Sequence, residues 1–275
     1  MPYPYVAKAL LYFLIGIFAL QVILSPIPTT GVLNIHPLVL LSQGALSKKA
    51  VFELGEYFRL LTAVFLHVSL IHVIFNCIGL WYAAHILERL IGHVWFLALF
   101  FLGGLGGSLC SLNMHSNEIV SAGASGAIMA LFASLLMILK VLPLHVPLRD
   151  DGRVDALKIL VFSLVPLSFD GLGFNIDIWG HLGGAITGGL IGFLLYETWN
   201  KQKNQPRFKI VAWLIIVASL LGLGNAVLHL QQNYQSFSTL VQQEYQSSQR
   251  VVHDADPQTS WLEIPEDTIS PVQRR

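Results

Sequence analysis

The sequence predicts an all-α polytopic membrane protein, and three observations carry that prediction. Charged residues make up only 12% of the 275-residue chain, about half the roughly 25% usual for a soluble domain. Apolar residues make up 54%, and the mean hydropathy is +0.63. These residues are gathered into runs comparable to the roughly 20 that a helix needs to cross a hydrocarbon core of about 30 Å. Backbone N–H and C=O groups cannot stay unpaired in lipid, so such runs are expected to be helices.

Seven runs qualify, some of them short. In order they are Lys8 to Leu24, Leu66 to Ile86, Val94 to Leu112, Ala122 to Leu142, Ala156 to Phe169, Ile178 to Tyr196 and Ile210 to Leu230. The first is read as a membrane segment rather than a signal peptide. Its positive end is only Lys8, and the following "SPIPTTG" has no small-x-small cleavage site. The fifth contains Pro166 and is expected to kink or stop early. The organisation read from this is a membrane domain over residues 1–231, with its core at about 8–198 and an extra helix at about 210–230. A polar tail covers 232–275, Gln-rich and then acidic with prolines, and is read as either a short surface helix or disordered.

Loop charges set the orientation. With the N-terminus in the cytoplasm, ten Lys and Arg fall inside and six outside, and two of the outer connections carry none. The expected location is therefore a cell membrane, the inner one for a bacterium, with the N-terminus cytoplasmic and the C-terminus outside. Formal net charge is zero, so nothing suggests a nucleic-acid partner. Cys77 and Cys110 lie in apolar runs and read as small buried hydrophobes, not as a disulfide or zinc pattern.

Polar groups inside membrane helices are costly, which makes each a functional candidate. The second run holds His72 and Asn76, the fourth Ser125 and the sixth His181. In the orientation set by the loop charges, all three helices enter from the outer face. The four residues then share a depth of roughly 5 to 15 Å at 1.5 Å per residue. A serine hydroxyl needs a base to become a nucleophile, and histidine is the usual one. Attack on an amide carbonyl makes an oxyanion, which needs preset donors. His72 and Asn76, spaced i, i+4 on one helix face, are suitable. Gly123 and Gly126 beside Ser125 allow close backbone approach. Gly180, Gly184, Gly188 and Gly192 repeat every four residues beside His181, and Ala122, Gly126, Ala130 and Ser134 do the same in the fourth run. Two such ridges can dock closely.

Each feature has a plainer reading. A lone membrane serine usually bonds its own i−4 carbonyl, and a glycine ridge usually serves packing; only the conjunction of depth, identity and spacing favours chemistry. His67 and His72, at i, i+5, would point about 140° apart on a helix, a poor chelate, and no HExxH occurs. "GASGA" lacks the last Gly of GxSxG. Asp177, four residues before His181, reads either as the N-cap of the sixth helix or as an orienter of His181.

Taken together, "FRLLTAVFLHVSLIHVIFN" (Phe58 to Asn76), "LERLIG" (Leu87 to Gly92), "GASG" (Gly123 to Gly126) and "GHLGGAITG" (Gly180 to Gly188) resemble the rhomboid intramembrane serine proteases. The resemblance spans Phe58 to Tyr196. It implies a rhomboid-like six-helix bundle, here with one extra C-terminal transmembrane helix. It implies Ser125 as nucleophile and His181 as general base, with His72, Asn76 and the Ser125 N–H as oxyanion hole. Arg59 and Glu88 match structural positions, and the fifth helix with the following cap loop, around Phe169 to Asp177, matches a moving gate for substrate. The implied partners are the lipid bilayer and transmembrane protein substrates, and no metal or other cofactor is implied. Two positions depart from the pattern. Phe58 stands where a Trp is common, and Met129 stands where many members stack an aromatic ring on the base. A thioether still packs on an imidazole, though more loosely. The competing reading is a rhomboid-like binding or trafficking factor without proteolysis; the presence of both Ser125 and His181 argues against it. A transporter would show repeated broken helices, and no such repeat occurs.

Overall fold

A computed structural model describes residues 3–115, 120–139, 155–161, 176–201 and 206–254. Among these the chain is helical, with only two isolated β-bridges, Thr30 with Asn34 and Leu46 with Ser121. The helices are α1 (Tyr5–Ile23), α2 (Pro37–Ser42), α3 (Lys48–Phe52), α4 (Arg59–Thr62, running into a 3₁₀ turn at Ala63–Phe65), α5 (Leu70–Ile91), α6 (His93–Met114), α7 (Ser125–Leu139), α8 (155–161), α9 (Ile178–Lys201) and α10 (Pro206–Asp254). Four have the length and composition to cross a membrane: α1, α5, α6 and residues Ile178–Leu195 of α9. Ser125–Leu139 and Ile210–Ala226 are shorter apolar helices. The later part of the fifth expected run, and the expected gate from Phe169 up to residue 175, lie outside the described residues.

The centre is a three-helix packing of α6, α7 and α9. The two small-residue ridges meet rung for rung. A Cβ on Gly184 would strike the Gly126 backbone, one on Gly188 the Ala130 backbone, and one on Gly192 the Ser134 backbone. Residue numbers rise together along this seam, so α7 and α9 run parallel. α5 runs parallel to them as well, with His72 at Gly123, Gly79 at Ile128 and Tyr82 at Phe132. The starts of α5, α7 and α9 therefore share one end of the bundle. α6 runs the opposite way, and its glycines Gly103 and Gly107 face Ala130 and Gly126.

Buried charges tie the periphery to this core. Glu88, fully buried near the end of α5, accepts the Val6 and Ala7 backbone N–H groups, each at 2.9 Å, and contacts His93 Nδ1. A carboxylate at a helix N-terminus satisfies unpaired amides and suits the dipole. Arg59 donates from Nη1 to the Leu41 and Ala45 carbonyls and from Nε to Glu56, which fixes the long first loop. α10 continues unbroken through residue 231 to Asp254, so the polar stretch after Gln231 is helical as far as that residue. Its outer part returns to the first loop, where the Tyr245 ring meets the His36 ring at 5.6 Å.

Candidate functional site

Each polar residue singled out by depth lies near the start of its helix. Ser69 caps α5, accepting the His72 N–H at 3.2 Å, which makes His72 the third residue of α5 and Asn76 the seventh. Ser125 is the first residue of α7, not the fourth as the hydropathy run suggests. The reason is local: Gly123 has φ +146°, and its N–H is held by the Ala63 carbonyl at 2.9 Å. Ser121 exchanges backbone bonds with Leu46. The segment before Ser125 is thus an extended strap on the first loop. His181 is the fourth residue of α9.

Two contacts show what these starts bring together. The His72 ring lies against Gly123, where a Cβ would be 2.6 Å from Cε1 and 2.9 Å from Nε2. Gly126 lies against both the Gly180 carbonyl and Gly107 of α6. The neighbours of Ser125 on both sides therefore touch the oxyanion-hole candidate and the helix turn of the base candidate. His72 and His181 are within electrostatic reach of each other. Ser125 is half-buried, while His181 is 8% exposed and Asn76 5% exposed. Asn76 Nδ2 donates to the His72 carbonyl at 3.0 Å; its amide has a second N–H to offer. The first amides of α7, including that of Ser125, have no intrahelical acceptor and carry the positive end of the dipole. Met129 is buried one turn after Ser125.

Asp177 has a denser environment than sequence reading shows. Oδ1 accepts the Gly180 N–H at 2.8 Å, the N-cap bond, and the His115 Nε2–H at 3.1 Å. Oδ2 accepts the Ser111 and Ser121 hydroxyls at 2.5 and 2.6 Å. Two bonds per oxygen fill the acceptor capacity of a carboxylate, and none of these partners is the His181 ring. Burial pushes this carboxyl up, but the bonds from Ser111, Ser121, Gly180 and His115 outweigh burial and hold it below its ordinary value.

Sequence reasoning missed Ser111, Ser121 and His115: Ser111 and His115 are spaced i, i+4 at the end of α6, but nothing in the sequence links that pair to Ser121 or to Asp177. It also separated His67 from His72 by helical geometry. His67 precedes α5, so that geometry does not apply, and the two rings meet edge to face at 5.3 Å.

Comparison with known proteins now bears on this arrangement. Residues 54–198 match the family model of the Rhomboid domain. The chain belongs to the rhomboid family. It is 32% identical over 196 residues to RHOMBOID-like protein 4 of Arabidopsis thaliana, covering 67% of this chain and 48% of that protein. It is 35% identical over 137 residues to the Rhomboid protease GluP of Bacillus subtilis, covering 49% of this chain and 25% of that one. To Rhomboid-like protease 1 of Toxoplasma gondii it is 32% identical over 150 residues, 54% of this chain and 50% of that one. The chain thus spans about half the length, or less, of these relatives. The family and the apolar helices together make it an integral, multi-pass membrane protein.

Proposed function

We propose that this rhomboid is an intramembrane serine endopeptidase acting on transmembrane protein substrates. The observation that carries the proposal is the junction of α7 with α9 and α5. The residues flanking Ser125 are packed against the turn that bears His181 and against the His72 ring. Protease-named relatives support the same reading.

In this reading the Ser125 Oγ attacks the scissile carbonyl carbon, and its proton passes to the His181 ring. The carbonyl π electrons move to oxygen. The resulting oxyanion takes hydrogen bonds from the Ser125 N–H, the His72 ring and the free N–H of Asn76. Collapse breaks the C–N bond, and His181 returns the proton to the leaving amine. Water, deprotonated by His181, then hydrolyses the acyl-enzyme and releases Ser125. Gly123 and Gly126 keep the hydroxyl accessible, Met129 packs below the site, and Asp177 caps the helix of the base. The orientation that fits puts the starts of α5, α7 and α9 at the outer face, the N-terminus inside and the C-terminus outside. α10 is then the extra helix after a six-helix core.

The test is cleavage of a model single-pass substrate in proteoliposomes by wild type, Ser125→Ala and His181→Ala. Wild type is expected to cleave and both variants to be inactive. An inactive wild type, or an active Ser125→Ala, overturns the proposal.

A further inference from the structure

We propose that Asp177 is a positioning residue that fastens the strap carrying Ser125 to the start of the helix carrying His181. The inference rests on the protease reading above.

The strap's backbone bonds all point away from α9. Ser121 pairs with Leu46 at 2.9 and 3.0 Å, and Gly123 donates to Ala63 at 2.9 Å. These bonds fix the strap to the first loop and the 3₁₀ turn. Lower down, α7 and α9 meet through glycine–backbone contact, with a directional bond from Ser134 Oγ to the Gly188 carbonyl at 2.9 Å among the described residues. Van der Waals contact fixes separation well but rotation poorly, because it has no preferred direction. At the end where Ser125 and His181 lie, among the described residues, the hydrogen bond joining the strap to the start of α9 runs from Ser121 Oγ to Asp177. The same carboxylate holds α6 through Ser111 and the residue after it through His115. One half-buried group, four residues before His181, therefore joins three elements: α6, the start of α9 and the strap that leads into Ser125.

This role differs from the two alternatives in what it tolerates. An orienter of His181 needs the carboxylate charge, and an amide in its place is severely damaging. A bare N-cap needs only the Gly180 bond, which Asn makes as well as Asp. A clasp needs the Ser121 bond. Asn can keep it, because its NH₂ donates to hydroxyls that turn to accept; Ala cannot.

The experiment compares wild type with Ser121→Ala, Asp177→Ala and Asp177→Asn in the full chain. It measures steady-state cleavage in proteoliposomes and amide hydrogen exchange across residues 120–124. Ser121→Ala and Asp177→Ala are each expected to lower kcat about tenfold or more, with KM within about twofold, since small misplacements of reacting groups cost large factors in rate. Both are expected to speed exchange across the strap, and Asp177→Asn is expected to recover most of kcat. Wild-type kcat and exchange in Ser121→Ala would reduce Asp177 to a cap and overturn the proposal. Asp177→Asn as inactive as Asp177→Ala would make it an orienter and equally overturn it. If Asp177→Ala does not fold, Ser121→Ala decides alone. If wild type cleaves nothing while Ser121→Ala still loosens the strap, the protease reading fails and the clasp stands.

Discussion

Gly184→Ala tests whether the spacing of α7 and α9 sets the chemistry. A Cβ at Gly184 would fall well inside contact with the Gly126 carbonyl oxygen. It would also lie 2.7 Å from the Gly126 carbonyl carbon and 3.0 Å from its Cα. All three are backbone atoms, so no side-chain rotation relieves the clash. Restoring ordinary contact at 3.4 Å requires a shift of about 0.7 Å for the carbonyl carbon alone. The oxygen demands more, so the helices must part by on the order of 1 Å. Gly126 adjoins Ser125, and Gly184 lies three residues past His181, so the separation falls on the proposed dyad. Overpacking of this kind costs about 1–3 kcal/mol of stability, and a 1 Å misplacement can cost about 100-fold in rate. Gly189→Ala, on the same helix, is the control: its Cβ meets nothing within 4 Å. Ala there is expected to be neutral or stabilising by up to about 1 kcal/mol. Thermal unfolding in detergent and substrate cleavage in proteoliposomes measure both effects. Equal behaviour of the two variants would refute the argument.

Three further outcomes follow from the same geometry. Gly123→Ala puts a methyl 2.6 Å from His72 Cε1 at φ +146°, so it is expected to displace the His72 ring and lower kcat at least tenfold (about 1.4 kcal/mol), read by cleavage kinetics. Glu88→Ala leaves the Val6 and Ala7 amides without their acceptor and is expected to destabilise the protein by about 1–3 kcal/mol per orphaned group, read as a fall in Tm. Asp177 has a folded pKa below its ordinary 3.8, so its contribution is complete above 3.8 and lost as pH falls through the lower folded value. Acid titration of thermal stability is expected to show a larger loss in wild type than in Asp177→Asn, and equal losses would contradict that assignment.

The long helices were legible because a bilayer demands length and apolarity together, and both are visible in one dimension. That His72, Asn76, Ser125 and His181 lie near the starts of helices gathered at one end of the bundle was legible for the same reason. So was the seam, because glycine every fourth residue marks one face of a helix. Where α7 begins was not legible. Ala122 to Ala124 are apolar and small enough to be helical, but the bonds of Ser121 and Gly123 to Leu46 and Ala63 hold the segment extended. The partners of Asp177 were hidden because Ser111 and His115, though spaced i, i+4 at the end of α6, have no sequence link to the strap or to Asp177. The His67–His72 contact was obscured by assuming one continuous helix where Ser69 starts a new one. The helical path of α10 beyond Gln231 was one of two readings: Tyr234, Phe237, Val241 and Tyr245 recur at helical spacing, but the surrounding Gln and Ser residues are as compatible with a disordered tail.

The central claim is that Ser125 is a nucleophile activated by His181. A fluorophosphonate probe with mass spectrometry of the labelled protein tests it without knowledge of any substrate. The expected result is a single adduct on Ser125 in wild type, lost in Ser125→Ala and strongly slowed in His181→Ala. An unlabelled Ser125, or labelling that His181→Ala leaves at the wild-type rate, would contradict it.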